Sequence, residues 1–271
     1  MSAAARRTRR PPRFYFSLRS PYSWLAYRDL LEQHPRTAAA LEWVPFFEPD
    51  ELSAKLLAEA GGAFPYTPMS AEKHRYILQD VRRLAAGRGL SFTWPVDRDP
   101  VWEVPHLGYL AAARHGRGPE YIALAARARW ELGQDVCDRR TIAGFGAALG
   151  LDGEELACAS DDPELRAEGV RVLLDIQCDG VFGVPFFVDH YDKYWGVDRL
   201  PAFVAALTAR DPRLASDSRP APDLPPAPDL PPAKDLPLAS DPSEPAPLDG
   251  AEVRVDDGHA GGCGCALAAR P

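Results

Sequence analysis

The chain reads as an α/β protein: a β-α-β unit at the front, a long all-helical excursion, and a β-β-α closure. Three observations carry this reading. An apolar run, Phe14-Tyr15-Phe16, leads directly into an apolar-periodic stretch that opens at Ser20-Pro21. Residues 51–179 keep helical periods nearly throughout, broken only by Gly, Pro and Asp. Gly183-Val184-Pro185-Phe186-Phe187-Val188, a turn at His190-Tyr191-Asp192-Lys193 and the pair Tyr194-Trp195 then read as a hairpin.

Each element follows from its residues. Residues 13–18 make a buried strand. The helix over 20–34 takes Ser20 as N-cap and Pro21 at its first position, where a missing N–H costs nothing. Its Trp24, Leu25, Tyr27, Leu30 and Leu31 fall on one stripe. Residues 41–46 form a second strand, close enough behind the helix that only a parallel return fits. Helical pieces then run over 51–60, 70–87, 105–115, 118–132, 138–149, 152–159 and 162–178, with Asp162-Pro163 a clear start. Asp198 is expected to cap the last helix, 199–209.

Composition bounds the function. The chain has 271 residues, 46% hydrophobic and 26% charged, which supports a substantial core in one or two domains. A formal net charge of −8 argues against a nucleic-acid partner. Residues 1–12 form a basic, solvated arm, disordered in this reading, with no apolar segment after it to make a secretory signal. No run approaches the ~20 apolar residues that span a bilayer, so no membrane partner is expected. Cys137, Cys158 and Cys178 are widely spaced, unlike a secreted disulfide framework. The simplest expectation is a soluble, cytoplasmic protein.

The register changes after Asp211. From there the chain holds eleven acidic residues against five basic ones, with Asp recurring every six residues inside Pro-rich repeats. Such a segment buries too little surface to offset ordering entropy and is expected to be a disordered, Pro-rich tail. Its parts are a Pro/Asp-rich linker, 211–250, and a Gly/Cys end, 251–271, carrying His259, Cys263 and Cys265. These three are a weak metal set, because zinc wants four ligands. They read equally as a redox arm, a contact for another protein, or incidental thiols.

Three segments resemble one family. Phe14-Tyr15-Phe16-Ser17-Leu18-Arg19-Ser20-Pro21-Tyr22-Ser23-Trp24-Leu25 resembles the opening of kappa-class glutathione transferases and 2-hydroxychromene-2-carboxylate isomerases. Lys73-x-x-Tyr76-x-x-x-Asp80 resembles a second family stretch. Residues 180–188 followed by Trp195-Gly196-Val197-Asp198-Arg199-Leu200 resemble the closing one. These families belong to the DsbA-like branch of the thioredoxin fold. The resemblance implies a thioredoxin-like core, 13–50 and 180–210, with an inserted helical domain, 51–179. Where a disulfide enzyme of this fold carries Cys-x-x-Cys, this chain has Ser20 and Ser23. Hydroxyls cannot relay electrons through a mixed disulfide.

The resemblance also implies a cis bond before Pro185, with the backbone of Val184 offered to a peptide-like thiol as an extra strand. It makes Asp198 a ligand for the amino end of glutathione. Lys73 is a contact for a substrate or cofactor carboxylate, or a solvated lysine. Tyr22, Trp24, Tyr66 and Trp94 are expected to wall an aromatic-substrate pocket, and the large aromatics read equally as core. Two departures stand out. The family places an Asn after the second strand, and this chain contains no Asn; Val197 stands where kappa-class enzymes tend to have a hydroxyl. The expected cofactor is therefore glutathione or another low-molecular-weight thiol, such as mycothiol.

Ser20 has its own physical reading. A helix N-terminus favours an anion, and a hydroxyl there donates to a bound thiolate and lowers its pKa. The same hydroxyl also serves simply as a cap. The expected function is a thiol-dependent isomerase or transferase acting on a small aromatic electrophile, with a homodimer among its expected partners. The alternatives are a thiol-disulfide oxidoreductase using the Cys-Gly-Cys end and a non-catalytic peptide-binding or maturation protein.

Overall fold

Strands β1 (Arg13–Phe16), β2 (Glu42–Pro45), β3 (Phe186–Asp189) and β4 (Asp192–Trp195) form one mixed sheet in the order β2-β1-β3-β4. The computed structural model describes residues 10–65 and 69–215. The expectations for residues 1–9, Tyr66, the linker and tail beyond Ala215, and His259, Cys263 and Cys265 lie outside the described residues.

β1 pairs parallel with β2 and antiparallel with β3, and β3 pairs antiparallel with β4. The parallel return and the closing hairpin are those expected from the sequence. β1 and β3 sit centrally and are buried along their whole length, which is why they read as continuous apolar runs rather than alternating ones. Phe14 lies opposite Phe187 in the ladder, and the two rings stack at 4.9 Å. β4 is an edge strand and largely exposed.

Helix α1 (Pro21–Gln33) links β1 to β2 together with a short helix, α2 (Pro35–Ala40), which the sequence reading did not separate from the connection. Pro35 starts α2, because proline suits a first helical turn. The segment between β2 and β3 is helical: α3 (Glu51–Glu59), α4 (Ala71–Gly87), α5 (Glu103–Arg114), α6 (Gly118–Ala126), α7 (Arg139–Ala143), α8 (Phe145–Leu149), α9 (Gly153–Ala157) and α10 (Pro163–Cys178). The stretch expected as one helix over 138–149 is two, divided at Gly144, and that over 118–132 ends in a π-helical turn, Arg127–Glu131. Helix α11 (Leu200–Arg210) closes the fold, and the described chain continues through a 3-10 turn, Pro212–Leu214.

One expectation fails here. Asp198 does not cap α11. A 3-10 turn, Val197–Arg199, precedes that helix, and Arg199 occupies the cap position without a side-chain bond. The tighter turn adds a step between Asp198 and the helix, so its carboxylate is left exposed.

The core is continuous from sheet to helices. Phe14, Phe187 and Phe203 on one side and Trp130, Tyr121 and Phe145 on the other belong to a single buried cluster. A buried polar junction fixes the helices near the sheet. Arg166 on α10 donates to Asp50 at 2.8 Å, Ser53 at 2.7 Å and Glu103 at 2.7 Å, joining α10 to α3 and α5. None of the helices among the described residues is long and apolar enough to cross a membrane.

Candidate active site

Ser20 caps α1. Its backbone is extended, and its Oγ accepts from the Ser23 N–H at 3.2 Å. Accepting through a lone pair leaves the hydroxyl hydrogen to be donated elsewhere. Pro21 has no N–H, Ser23 donates to the cap, and Trp24 donates to the Ser20 carbonyl at 3.1 Å. The Tyr22 N–H is therefore the amide of this first turn without an intrahelical partner. Ser23 is buried, and its Oγ accepts from the Ser17 N–H at 3.2 Å, a structural use of the second hydroxyl.

The Val184–Pro185 peptide bond is cis. The Pro185 carbonyl accepts from the Gly196 N–H at 3.0 Å, which ties the bend to the end of β4. Among the described residues no hydrogen bond engages the Val184 N–H or carbonyl. A pairable ledge of backbone is thus left at this edge.

Val184 and Pro185 line a crevice of about 870 Å³. Tyr22 of α1 lines it, as do Lys73, Tyr76 and Asp80 of α4 and Arg88 just beyond that helix. The opposite wall is Val184, Pro185, the end of β4 from Lys193 to Trp195, and Gly196 to Arg199. Five of the expected site residues therefore share one cavity: Tyr22, Lys73, Val184, Pro185 and Asp198. Ser20 is half-buried and is not among the lining residues; the crevice reaches α1 through Tyr22.

Polar groups in the crevice are arranged in pairs. The Tyr22 phenol donates to Asp80 at 2.8 Å, and Asp80 also accepts from Tyr76 at 3.3 Å and Arg83 at 3.2 Å. Burial and the Asp80 carboxylate push the Tyr22 phenol well above its usual range, so it stays protonated. Arg88 reaches across to Asp29 on α1 in a bidentate pair, at 2.8 and 2.7 Å. Asp198 stands beside Gly196, whose φ of 105° brings the backbone so close that a Cβ there would lie 2.6 Å from Asp198 Oδ1. Trp195 packs over Gly183 and against Phe182, ring centroids 4.9 Å apart.

Two expected pocket residues are elsewhere. Trp24 is buried and stacks on Trp130 at 6.0 Å, while Trp94 meets Trp130 at 5.9 Å and Phe92 at 6.0 Å. Neither lines the crevice. Tyr22 and Trp24 are two residues apart, about 200° around a helix, so when one faces the cavity the other faces the core. Arg88, Lys193, Tyr194 and Arg199 line the crevice without having been singled out; each is an ordinary surface residue in sequence, brought there by folding. Cys137, Cys158 and Cys178 are unpaired and none lines the crevice.

Residues 13–208 match the DSBA-like thioredoxin domain. The chain belongs to the DsbA-like thioredoxin family. Within it, the chain is 27% identical over 191 residues to a 2-hydroxychromene-2-carboxylate isomerase from Sphingobium xenophagum, covering 69% of this chain and 92% of that one. A solved 2-hydroxychromene-2-carboxylate isomerase structure superposes with a TM-score of 0.57 at 20% identity, over 76% of this chain and 99% of the other. A probable DsbA oxidoreductase from Streptomyces coelicolor gives 0.53 at 21%, over 73% and 88%. The DsbA-like fold of this protein thus occurs in both isomerase and oxidoreductase relatives, and its own α1 carries the hydroxyl pair.

Proposed function

We propose that this DsbA-like protein is a small-thiol-dependent isomerase or transferase acting on a compact aromatic electrophile. The observation that carries the reading is the pairing of two features across one crevice. Tyr22, in the first turn of the helix that Ser20 caps, lines one side, and a cis-proline ledge with unpaired backbone forms the other. The 27% identity to an isomerase supports it.

The residues fit a thiol of the glutathione type. Ser20 O–H and Tyr22 N–H offer donors for a sulfur anion, at the end of α1 where the helix dipole favours negative charge. Val184 offers backbone pairing, and Asp198 and Lys73 offer opposite charges for an amino and a carboxylate group. When bound, the thiol supplies a nucleophile that adds reversibly to a conjugated double bond. Tyr22, Tyr76 and Trp195 give the crevice flat apolar faces for an aromatic partner, and Asp80 holds the two phenols in place.

A thermal-shift screen of small thiols tests the reading. A true ligand at ~100-fold its dissociation constant adds about 2.7 kcal/mol of stability. Ser20→Ala is expected to abolish the ultraviolet absorbance of bound thiolate. If no thiol stabilises the wild-type protein, or if the variant keeps the thiolate signal, the reading is wrong.

A further inference from the structure

We infer that His106 is a positioning residue for the thiolate site: through the Leu18 amide it holds the turn that presents Ser20 and the start of α1. This rests on the thiol-dependent reading and deepens it. His106 lies in the first turn of α5, outside the β-α-β unit, and is completely buried. Its ring stacks on Phe47 at 5.4 Å and meets Trp102 edge-on at 6.3 Å.

Both ring nitrogens are committed. Nδ1 faces the Trp102 carbonyl at 2.6 Å, a contact that requires the proton on that nitrogen. Nε2 is then an acceptor, and it takes the Leu18 N–H at 3.0 Å, with Ser17 Oγ 3.5 Å away. Burial pushes the ring's pKa down to about 4, so the acceptor persists at neutral pH.

The turn it holds is fully tied. The Ser17 N–H donates to Ser23 Oγ, the Arg19 N–H to Ser17 Oγ, and the Ser20 N–H to the Ser17 carbonyl. Of these four amides, only that of Leu18 is held from beyond residues 17–23. An apolar ring of the same size would fill the space and leave that buried amide unpaired. The turn would then relax, and with it the directions of the Ser20 hydroxyl and the Tyr22 N–H. Hydrogen bonds weaken steeply with angle, so a small rotation there costs thiolate stabilisation.

The test compares the full-length wild type with His106→Phe and His106→Gln, titrating glutathione-loaded protein against pH by thiolate absorbance. His106→Phe is expected to raise the bound thiol's pKa by about one unit, a tenfold loss of thiolate at a given pH. His106→Gln keeps an acceptor for Leu18 and is expected to restore most of it. A folded His106→Phe protein with an unchanged thiol pKa overturns the inference and leaves the parent reading standing. Wild-type protein that binds no thiol overturns both. Should His106→Phe not fold, hydrogen exchange in the wild type decides: a Leu18 amide that is protected supports the inference, and one that exchanges as fast as an unbonded amide overturns it.

Discussion

Tyr22 and Asp80 meet in the crevice, the phenol of one donating to the carboxylate of the other at 2.8 Å, and this bond ties the first turn of α1 to the middle of α4. Tyr22 is thereby two things at once. Its backbone N–H belongs to the helix start, and its ring belongs to the cavity wall.

Because the phenol hydrogen is committed to Asp80, Tyr22→Phe should not disturb a bound thiolate. It should lower stability by about 1 kcal/mol, the ordinary worth of a half-exposed hydrogen bond. Thiolate absorbance reads the first effect, and urea titration reads the second. A raised thiol pKa in Tyr22→Phe would show that the phenol, not Ser20, serves the sulfur.

Ser20 caps α1 and is the proposed donor to a bound thiolate, and a pair of substitutions separates the two roles. Ser20→Ala loses the cap and should cost about 1 kcal/mol in unfolding free energy. Ser20→Asp keeps a good cap acceptor and should cost less than about 0.5 kcal/mol, yet it sets a negative charge beside the proposed thiolate position. Glutathione affinity should therefore fall at least about tenfold in Ser20→Asp, by calorimetry, while the melting temperature holds. Unchanged affinity would reduce Ser20 to a cap alone.

His106 makes a signed prediction for acid. Its folded pKa, about 4, lies below the ordinary 6.5 because burial penalises the charged ring. Its contribution is fully present above the unfolded pKa, falls as pH drops through that value, and stops falling near the folded one. Between about pH 7.5 and about pH 5 the wild type should lose about 2 kcal/mol more stability than His106→Gln does. Urea midpoints of the two proteins at both pH values give the difference; equal losses would mean the ring is hydrated.

Gly196 is required twice over, by its φ of 105° and by the 2.6 Å approach a Cβ would make to Asp198 Oδ1. Gly196→Ala should cost about 1–2 kcal/mol from the backbone alone. It should also displace the Asp198 carboxylate. Binding of glutathione, which bears an amine, should then weaken more than binding of 2-mercaptoethanol, which has none. Equal weakening of the two would remove Asp198 from the thiol site.

Much of this was legible in the residues because local chemistry determined it. Ser20-Pro21 opens a helix by capping and by the fixed φ of proline, whatever the rest of the chain does. The runs Phe14-Tyr15-Phe16 and Phe186-Phe187-Val188 read as buried strands because strands with both faces covered have no polar alternation to show. The Lys73, Tyr76 and Asp80 stretch could be recognised, but the use of Asp80 could not, since its partner Tyr22 is 58 residues away. Trp24 and Trp94 misled because a large aromatic has the same sequence signature in a core and in a pocket. His106 left no signal beyond being one histidine in an apolar helix.

The sequence by itself determined the strands and the principal helices in chain order, the hydroxyl pair at the head of α1 and the hairpin that follows Pro185, since each depends on neighbours within a few residues. Tertiary structure alone decided which side chains share the crevice, that Tyr22 and not Trp24 faces it, and that His106 holds the Leu18 amide. Those relationships join residues tens of positions apart, and their geometry exists only once the helices between β2 and β3 have packed on the sheet.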